Sequence, residues 1–342
     1  MNRLIYLIIF SVISSFSLVA QNVSKQDPMT LFSQSKFSAA QQLYQNMIIN
    51  DPSDEIANYY NARCSKELFS SDAVFLYENF LKCFPFSNLT YDVYRDLALL
   101  YYRQSNFNYS IKFFLKLDRI NSTPHLLFKL AYANFRVDSL ADAEYYFYKL
   151  LNFENKYMST AKYYLAYIDF QRGFYKKALL RFKQLEGDKQ FGSIVPYYIM
   201  QIYFLQKNYK QLIATAKPII EIVVNSRKAE VSRLLAEAYY YTEDYANAVF
   251  YFNQYIALEK DFNPIVYFHI GHSYFKINEF ENAINFLERI TSKVENVSQY
   301  STYYLGASYL QLKQYNYALQ AFKKSSSYND DLLIQEDAFF NY

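Results

Sequence analysis

The chain has 342 residues, of which 52% are apolar and 20% aromatic, and it contains only 5 Gly and 7 Pro. This composition supplies ample material for a hydrophobic core, and it has too few chain breakers for a sheet of many turns. The 35 basic and 32 acidic residues are scattered in both signs without a basic stripe. Nucleic acid is therefore a poor candidate partner.

The N-terminus has the layout of a secretory signal peptide. One basic residue, Arg3, precedes an apolar run from Leu4 to Val19, and Ala20 follows as the cleavage point. The sequence therefore predicts a signal peptide at residues 1–20 and an exported protein, periplasmic or associated with the outer membrane. We expect no transmembrane domain after cleavage and at most a peripheral association with the envelope, because no later segment approaches about 18 consecutive apolar residues. A retained anchor is the alternative, whereas a lipid anchor is not supported, because the first cysteine is Cys64.

Two cysteines in an exported chain suggest a disulfide. If Cys64 and Cys83 lie on neighbouring antiparallel helices, the residue level with Cys64 is Tyr77, and Cys83 lies about 9 Å further along the helix. The sequence therefore predicts two free thiols, both largely buried.

An internal repeat with a period near 34 residues organises the chain. An aromatic residue, a small residue and a large apolar residue recur at spacings of three and four, as at Phe280, Ala283 and Leu287. This spacing is helical rather than strand-like, so each unit is predicted to contain two helices. The small-residue position falls in turn at Ala40, Ala73, Ser110, Ala143, Ala178, Leu212, Ala248, Ala283 and Ala318.

The repeat resembles a known family. The third unit carries its marker positions at Tyr94, Leu97, Ala98, Tyr101, Ser110 and Phe114. This pattern is similar to the tetratricopeptide repeat, a helix–turn–helix unit that stacks on its neighbours. The resemblance implies an all-α solenoid with a right-handed superhelix, about nine repeats over residues 21–330, and the start of a tenth at 331–342. We expect the natural protein to continue beyond that point.

Close helix packing explains the small residues. We expect Gly271 on a first helix to face Ala283 on the second, while Leu287 or Phe322 fills the gap to the next unit. One helix pair cannot bury this face alone, so neighbouring units must stack.

The sixth unit departs from the pattern. It has Met200, Leu212 and Ala216 where small, small and large residues are expected, and Pro218 falls inside its predicted second helix. The preceding stretch, residues 187–193, contains two of the five glycines and is the predicted flexible joint.

The sequence contains no phosphate loop, Cys-x-x-Cys pair or catalytic elbow. His269 and His272 could supply two zinc ligands, but no third ligand is adjacent, and we interpret them as ordinary histidines of the repeat surface. The chain is therefore predicted to be non-enzymatic, without a cofactor or metal.

Aromatic residues dominate the first-helix face that should line the concave side of the solenoid. Their spacing of four and three keeps each set on one face, and aromatic and Arg side chains are enriched in protein interfaces. We therefore predict a groove that binds a protein or peptide partner. Its predicted residues are Tyr102, Arg103, Phe128, Tyr132, Phe135, Arg136, Tyr163, Tyr167, Phe170 and Tyr197. The same stripe continues through Gln201, Phe204, Arg233, Glu237, Tyr240, Phe268, His272 and Phe275.

The leading interpretation is an interaction scaffold of the bacterial periplasm or cell envelope. One alternative is the sensory or docking arm of a longer protein with a C-terminal catalytic domain, for example a kinase. Another is a repeat protein that stacks glycans on its aromatic groove.

Overall fold

The computed structural model describes residues 27–154, 156–216, 218–220, 225–260, 262–290 and 297–342. The predicted signal segment lies outside these residues. Within them the chain forms 19 helices and no strand, and the helices pack in sequence as antiparallel neighbours. The predicted all-α solenoid of stacked helix pairs is therefore confirmed.

The chain divides into two compact units, one ending at residue 161 and the other beginning at residue 162. Unit 1 holds eight helices and the first residues of a ninth. These helices are α1 (Pro28–Ser33), α2 (Phe37–Asn50), α3 (Glu55–Glu67), α4 (Ala73–Cys83), α5 (Thr90–Arg103), α6 (Phe107–Ile120), α7 (Pro124–Arg136), α8 (Leu140–Leu151) and α9 (Met158–Gln171).

Unit 2 holds the remainder of α9 and ten further helices. They are α10 (Tyr175–Lys183), α11 (Val195–Leu205), α12 (Tyr209–Ala216), α13 (Asn225–Tyr241), α14 (Tyr245–Ile256), α15 (Pro264–Lys276), α16 (Phe280–Leu287), α17 (Val297–Gln311), α18 (Tyr315–Ser326) and α19 (Leu332–Asn341). None of the helices that the structure describes is both long and apolar enough to cross a membrane.

Every turn inside a helix pair uses one residue in the left-handed region. After α5, for example, Ser105 has a φ of 59°, and the amide of Asn106 donates to the carbonyl of Tyr101 at 2.9 Å. This bond closes the end of the helix, as in a Schellman motif. The positive-φ residues recur at Ser35, Phe69, Ser105, Asp138, Gly173, Lys207, Glu243, Asn278 and Lys313. Only one of them is glycine, so these turns keep the repeat geometry at a cost in backbone strain.

The small-residue position forms the packing ridge of each second helix. All nine residues at this position are buried, from Ala40 in α2 to Ala318 in α18. On the facing helices, a Cβ added to Gly271 would come within 2.7 Å of Leu287, and one added to Gly306 within 2.9 Å of Phe322. The large residues thus lie directly against the glycine of their own helix pair, rather than only filling the gap to the next pair as expected.

The irregular sixth pair is accommodated by a short second helix. Met200 and Leu212 are fully buried, and α12 has only eight residues. It ends at Ala216, so the expectation that Pro218 lies inside the helix is wrong. Proline lacks an amide donor and clashes with the preceding turn, which explains the early end of α12.

The stretch 187–193, which is predicted to be a flexible joint, forms a hydrogen-bonded turn. The carboxylate of Asp188 accepts hydrogen bonds from the amides of Gln190 and Phe191 at 2.8 and 3.0 Å. The Phe191 ring is buried and stacks on Tyr163 with 4.5 Å between centroids. Side-chain capping and an aromatic anchor therefore fix this turn.

The two cysteines are unpaired but differ in environment. Cys64 is buried in α3, and burial raises the pKa of its thiol to about 11. The prediction that Cys83 is also buried is wrong, because its thiol is exposed at the end of α4. In that helix the buried face is formed by Ala73, Tyr77 and Phe80, and Cys83 lies off this face.

Candidate partner-binding surface

A group of half-buried rings lies on the first helices of unit 1. Phe128, Tyr132 and Phe135 share one face of α7 because they are spaced by four and three residues. The other side of α7 packs into the core through residues such as Leu127 and Leu130. The aromatic face of α7 is therefore partly exposed to solvent, and its aliphatic face is buried in the core.

These rings form a continuous cluster with rings of neighbouring elements. The Tyr132 ring lies 6.0 Å from Tyr102 of α5 and 6.3 Å from Phe107 of α6, measured between centroids. The Phe128 ring stacks on Tyr157, which precedes α9, at 4.6 Å and an interplanar angle of 6°. We call this set the unit-1 aromatic surface; it comprises the half-buried rings of Tyr102, Phe128, Tyr132, Phe135 and Tyr157, which pack around the buried Phe107.

Basic side chains cover several of these rings. The Lys129 ammonium lies 4.2 Å from the Tyr102 centroid, and the Arg136 guanidinium lies 4.9 Å from the Phe107 centroid. Arg136 also donates a hydrogen bond of 3.2 Å to the Tyr132 hydroxyl, and Lys156 lies 5.3 Å from the Tyr157 centroid. The fold therefore adds Lys129 and Lys156 to the predicted Arg136, and the three side chains form a local basic cluster.

The basic groups at this surface lie close enough to lower the pKa values of Lys129 and His125. Burial and the charge of Arg103 lower the pKa of Lys129. Burial and the charges of Lys129 and Lys156 lower the pKa of His125, whose Nδ1 lies 2.8 Å from the Tyr157 hydroxyl. Both groups therefore lose part of their tendency to be protonated, first because they are partly buried and second because cations lie nearby.

The corresponding rings of unit 2 pack around one buried residue, Tyr198 of α11. Its ring stacks on the fully buried Phe182 at 5.1 Å and makes edge contacts with Tyr167 and Phe170 at 5.5 and 5.8 Å. Tyr163 donates a hydrogen bond of 3.2 Å to the Tyr198 hydroxyl, and burial raises the pKa of Tyr163. Three of the predicted groove residues thus serve as part of the packing between helices.

Tyr197 is not available as a groove residue. Its side chain is only 7% exposed, and the Arg227 guanidinium lies over its ring at 4.5 Å. Its hydroxyl accepts a hydrogen bond of 2.7 Å from Gln201.

A small depression remains open next to this cluster in unit 2. It has a volume of about 200 Å³, and its walls include Phe170, Gln201, Phe204 and Arg233. The guanidinium of Arg233 is already bound to two carboxylates, at 3.0 Å from Glu237 and 2.7 Å from Glu230. This depression can therefore take an apolar side chain, but its arginine is neutralised.

The two candidate zinc histidines are buried, which contradicts their interpretation as surface residues. His269 and His272 are 6% and 8% exposed. His269 stacks on Tyr240 of α13 at 4.2 Å, and His272 lies 4.3 Å from Tyr304 of α17, both measured between ring centroids. Burial, together with nearby cations, lowers both pKa values to about 4. Among the described residues no three His, Cys, Asp or Glu side chains are placed to hold a metal ion.

Sequence reasoning missed several residues of these clusters. Lys129, Tyr157 and His125 in unit 1 lie off the predicted stripe, and so do Tyr198 and Phe191 in unit 2. The position of Lys129, three residues before Tyr132, could have suggested one more cation beside the aromatic face, in addition to the predicted Arg103 and Arg136.

Comparisons with known proteins agree on the fold. The sequence profile of the family "Anaphase-promoting complex, cyclosome, subunit 3" matches residues 241–325. No curated protein matches the chain in sequence at a significant level.

Solved structures of helical-repeat proteins resemble the chain over most of its length. The C-terminal part of a TPR repeat-containing protein from Cytophaga hutchinsonii has 16% identity and a TM-score of 0.54, covering 72% of this chain and 98% of that one. A tetratricopeptide repeat protein from Parabacteroides merdae has 18% identity and a TM-score of 0.46, with 74% and 99% covered. YrrB, described as a TPR protein with an unusual peptide-binding site, has 15% identity and a TM-score of 0.48, with 57% and 97% covered. At these identities the first likeness establishes architecture, and the chain accordingly has the helical-repeat fold of tetratricopeptide proteins.

Proposed function

We propose that the mature chain is a non-enzymatic binding scaffold of a bacterial periplasm or cell envelope, and that it binds a segment of a partner protein on the unit-1 aromatic surface. The observation that carries this proposal is the half-buried ring cluster centred on Tyr132. Aromatic rings give a large contact area at low cost in side-chain entropy, and Arg adds directional contacts.

The location rests on the N-terminal sequence. Arg3, the apolar run Leu4–Val19 and Ala20 have the order of a signal peptide. Fractionation of cells, followed by intact-mass measurement, tests this part. We expect an envelope or periplasmic protein that begins at or near Gln21, and retention of Arg3 in the purified protein would contradict cleavage.

Photo-crosslinking tests the binding surface. A benzophenone side chain at position 132 should form an adduct with a partner protein in cells, because this position is the centre of the ring cluster. The matched control is position 145 on α8, where Tyr145 is 59% exposed. Adducts at position 145 and none at position 132 would contradict the proposed surface.

A further inference from the structure

We infer that the unit-1 aromatic surface selects acidic segments, meaning internal stretches of a partner chain in which Asp or Glu carboxylates alternate with apolar residues. This inference rests on the proposed function and names the chemistry of its partner. The proposed ligand is thus a peptide segment that supplies side-chain carboxylates, and not the terminal carboxylate of a chain.

Two cations of this surface have no carboxylate partner within the described residues. In the part of the chain that the structure describes, neither Arg103 nor Lys129 forms an ion pair with a carboxylate. This contrasts with Lys66, which bonds Asp96 at 3.1 Å, and with Lys149, which bonds Asp118 at 2.9 Å. Lys129 is half-buried, so it has lost part of its hydration without gaining a counter-ion.

The basic groups at this surface also repel one another. The pKa of Lys129 is lowered by burial and by Arg103, and the pKa of His125 is lowered by burial and by two lysines. A bound carboxylate would relieve this repulsion through charge-assisted hydrogen bonds to the cations.

The positive charges are spread over the surface, with one cation beside each of three rings. Lys129 lies over Tyr102, Arg136 over Phe107, and Lys156 over Tyr157. Because each cation covers a different ring, the surface presents separate positive charges rather than one focus. Separate charges suit carboxylates at successive positions of a peptide, with apolar side chains between them.

The same placement disfavours two other ligands. Nucleobases and sugars bind aromatic side chains by stacking on the ring face. Here faces of Tyr102, Phe107 and Tyr157 lie under cations, and Phe128 stacks on Tyr157 at 4.6 Å. A peptide can instead contact ring edges while its carboxylates reach the cations.

Selection from a random dodecapeptide phage library tests this inference. The mature chain, beginning at Gln21, is immobilised and the bound phage are sequenced. We expect the recovered peptides to contain a clear excess of Asp and Glu over the starting library. A synthetic copy of one recovered peptide is then titrated against parent and variants by fluorescence anisotropy.

Substitution of two cations measures their contribution to peptide binding. The double change Arg103→Gln with Lys129→Met should weaken peptide binding by about tenfold, the effect of losing one or two charge-assisted contacts. The control is Lys116→Met, because Lys116 lies over the Tyr94 ring at 4.4 Å in the same unit but outside this surface. Circular dichroism on all variants checks that the helices persist.

The outcomes separate the inference from the proposed function. If no peptide is recovered by the parent, the proposed binding function fails as well. If peptides are recovered without an acidic excess, or if the double variant binds as the parent does, the acidic-segment inference is overturned and the scaffold function stands. Tight binding of a fluorescent oligothymidine, lost in the double variant, would reassign the surface to single-stranded nucleic acid and overturn the inference.

Discussion

Phe128 in unit 1 and Tyr163 in unit 2 occupy the same position in their repeats, yet they lie in different surroundings. Phe128 stacks on Tyr157, a half-buried residue whose neighbours include Lys156 and His125. Tyr163 stacks on the buried Phe191 and hydrogen-bonds to a buried tyrosine. Both rings are half-buried, but Phe128 packs against a half-buried ring beside cations and Tyr163 packs against buried rings. The neighbouring elements therefore decide the environment of an aromatic residue at this repeat position.

The largest expected effect comes from the buried ring at the centre of the unit-2 cluster. Tyr198→Ala should lower the free energy of unfolding by about 3–5 kcal/mol, because it leaves a cavity among Phe182, Tyr167 and Phe170. Urea unfolding followed by circular dichroism measures this loss. The control is Tyr145→Ala on an exposed helix face, and equal losses in both variants would show that unit 2 is not held by this cluster.

The buried histidines should make unit 2 sensitive to acid. Both folded pKa values are about 4, below the ordinary value of 6.5. Because the unfolded chain then takes up protons first, their contribution to stability is complete above pH 6.5 and is lost as the pH falls towards 4. Each pKa unit corresponds to about 1.4 kcal/mol.

Replacing one histidine tests that dependence. His269→Phe should flatten the slope of unfolding free energy against pH between pH 6.5 and 4, because it removes a titrating ring and keeps the stack on Tyr240. Other titrating groups, among them Glu237, are common to parent and variant. An unchanged slope would place His269 in contact with water instead.

The close contact of a glycine with a large side chain should be intolerant of added volume. Gly306→Ala should cost about 1–3 kcal/mol, because the new Cβ would lie within 2.9 Å of the Phe322 ring. Gly187→Ala is the matched control, since no atom lies within 4 Å of a Cβ added there. A thermal unfolding midpoint unchanged in both variants would refute this helix pairing.

The smallest effect is a gain in stability in unit 1. Phe69 has a φ of 54° and is 85% exposed, so its ring contributes little while its backbone is strained. Phe69→Gly should stabilise the protein by about 0.5–1 kcal/mol. Phe86→Gly, at a 97% exposed residue without positive φ, should give no gain. If both changes destabilise equally, the strain at Phe69 is not significant.

The helical fold could be predicted from the sequence because a small residue recurs at a nearly fixed period at the position where the two helices of each pair pack together. Ala283 and Ala318 mark helices whose faces are fixed by spacing alone, and both are buried as expected. The turns could not be predicted in the same way. Their left-handed residues include Phe69, Lys207 and Glu243, and these residue types do not mark a left-handed position in the sequence as glycine does.

The candidate site was predicted only in part. The spacing of the aromatic residues predicted that they share one helix face, and Tyr102, Tyr132 and Phe135 do lie together on one surface. The burial of Tyr197 was not visible, because it depends on Arg227, which lies on α13, two helices further along the chain. Arg103 and Arg136 were predicted, but Lys129 and Lys156 were not, because these two lysines are 27 positions apart in the sequence and lie off the predicted stripe.

A paired measurement on Phe128→Ala and Tyr163→Ala distinguishes a ring that binds a partner from a ring that stabilises the fold. Each variant is examined both for binding of a library-selected peptide and for its free energy of unfolding. We predict that Phe128→Ala weakens binding by about tenfold with the smaller loss of stability, because its ring belongs to the surface. Tyr163→Ala should bind normally when folded and lose more stability. The reverse result, with binding lost in Tyr163→Ala and retained in Phe128→Ala, would contradict the assignment of unit 1 as the binding surface.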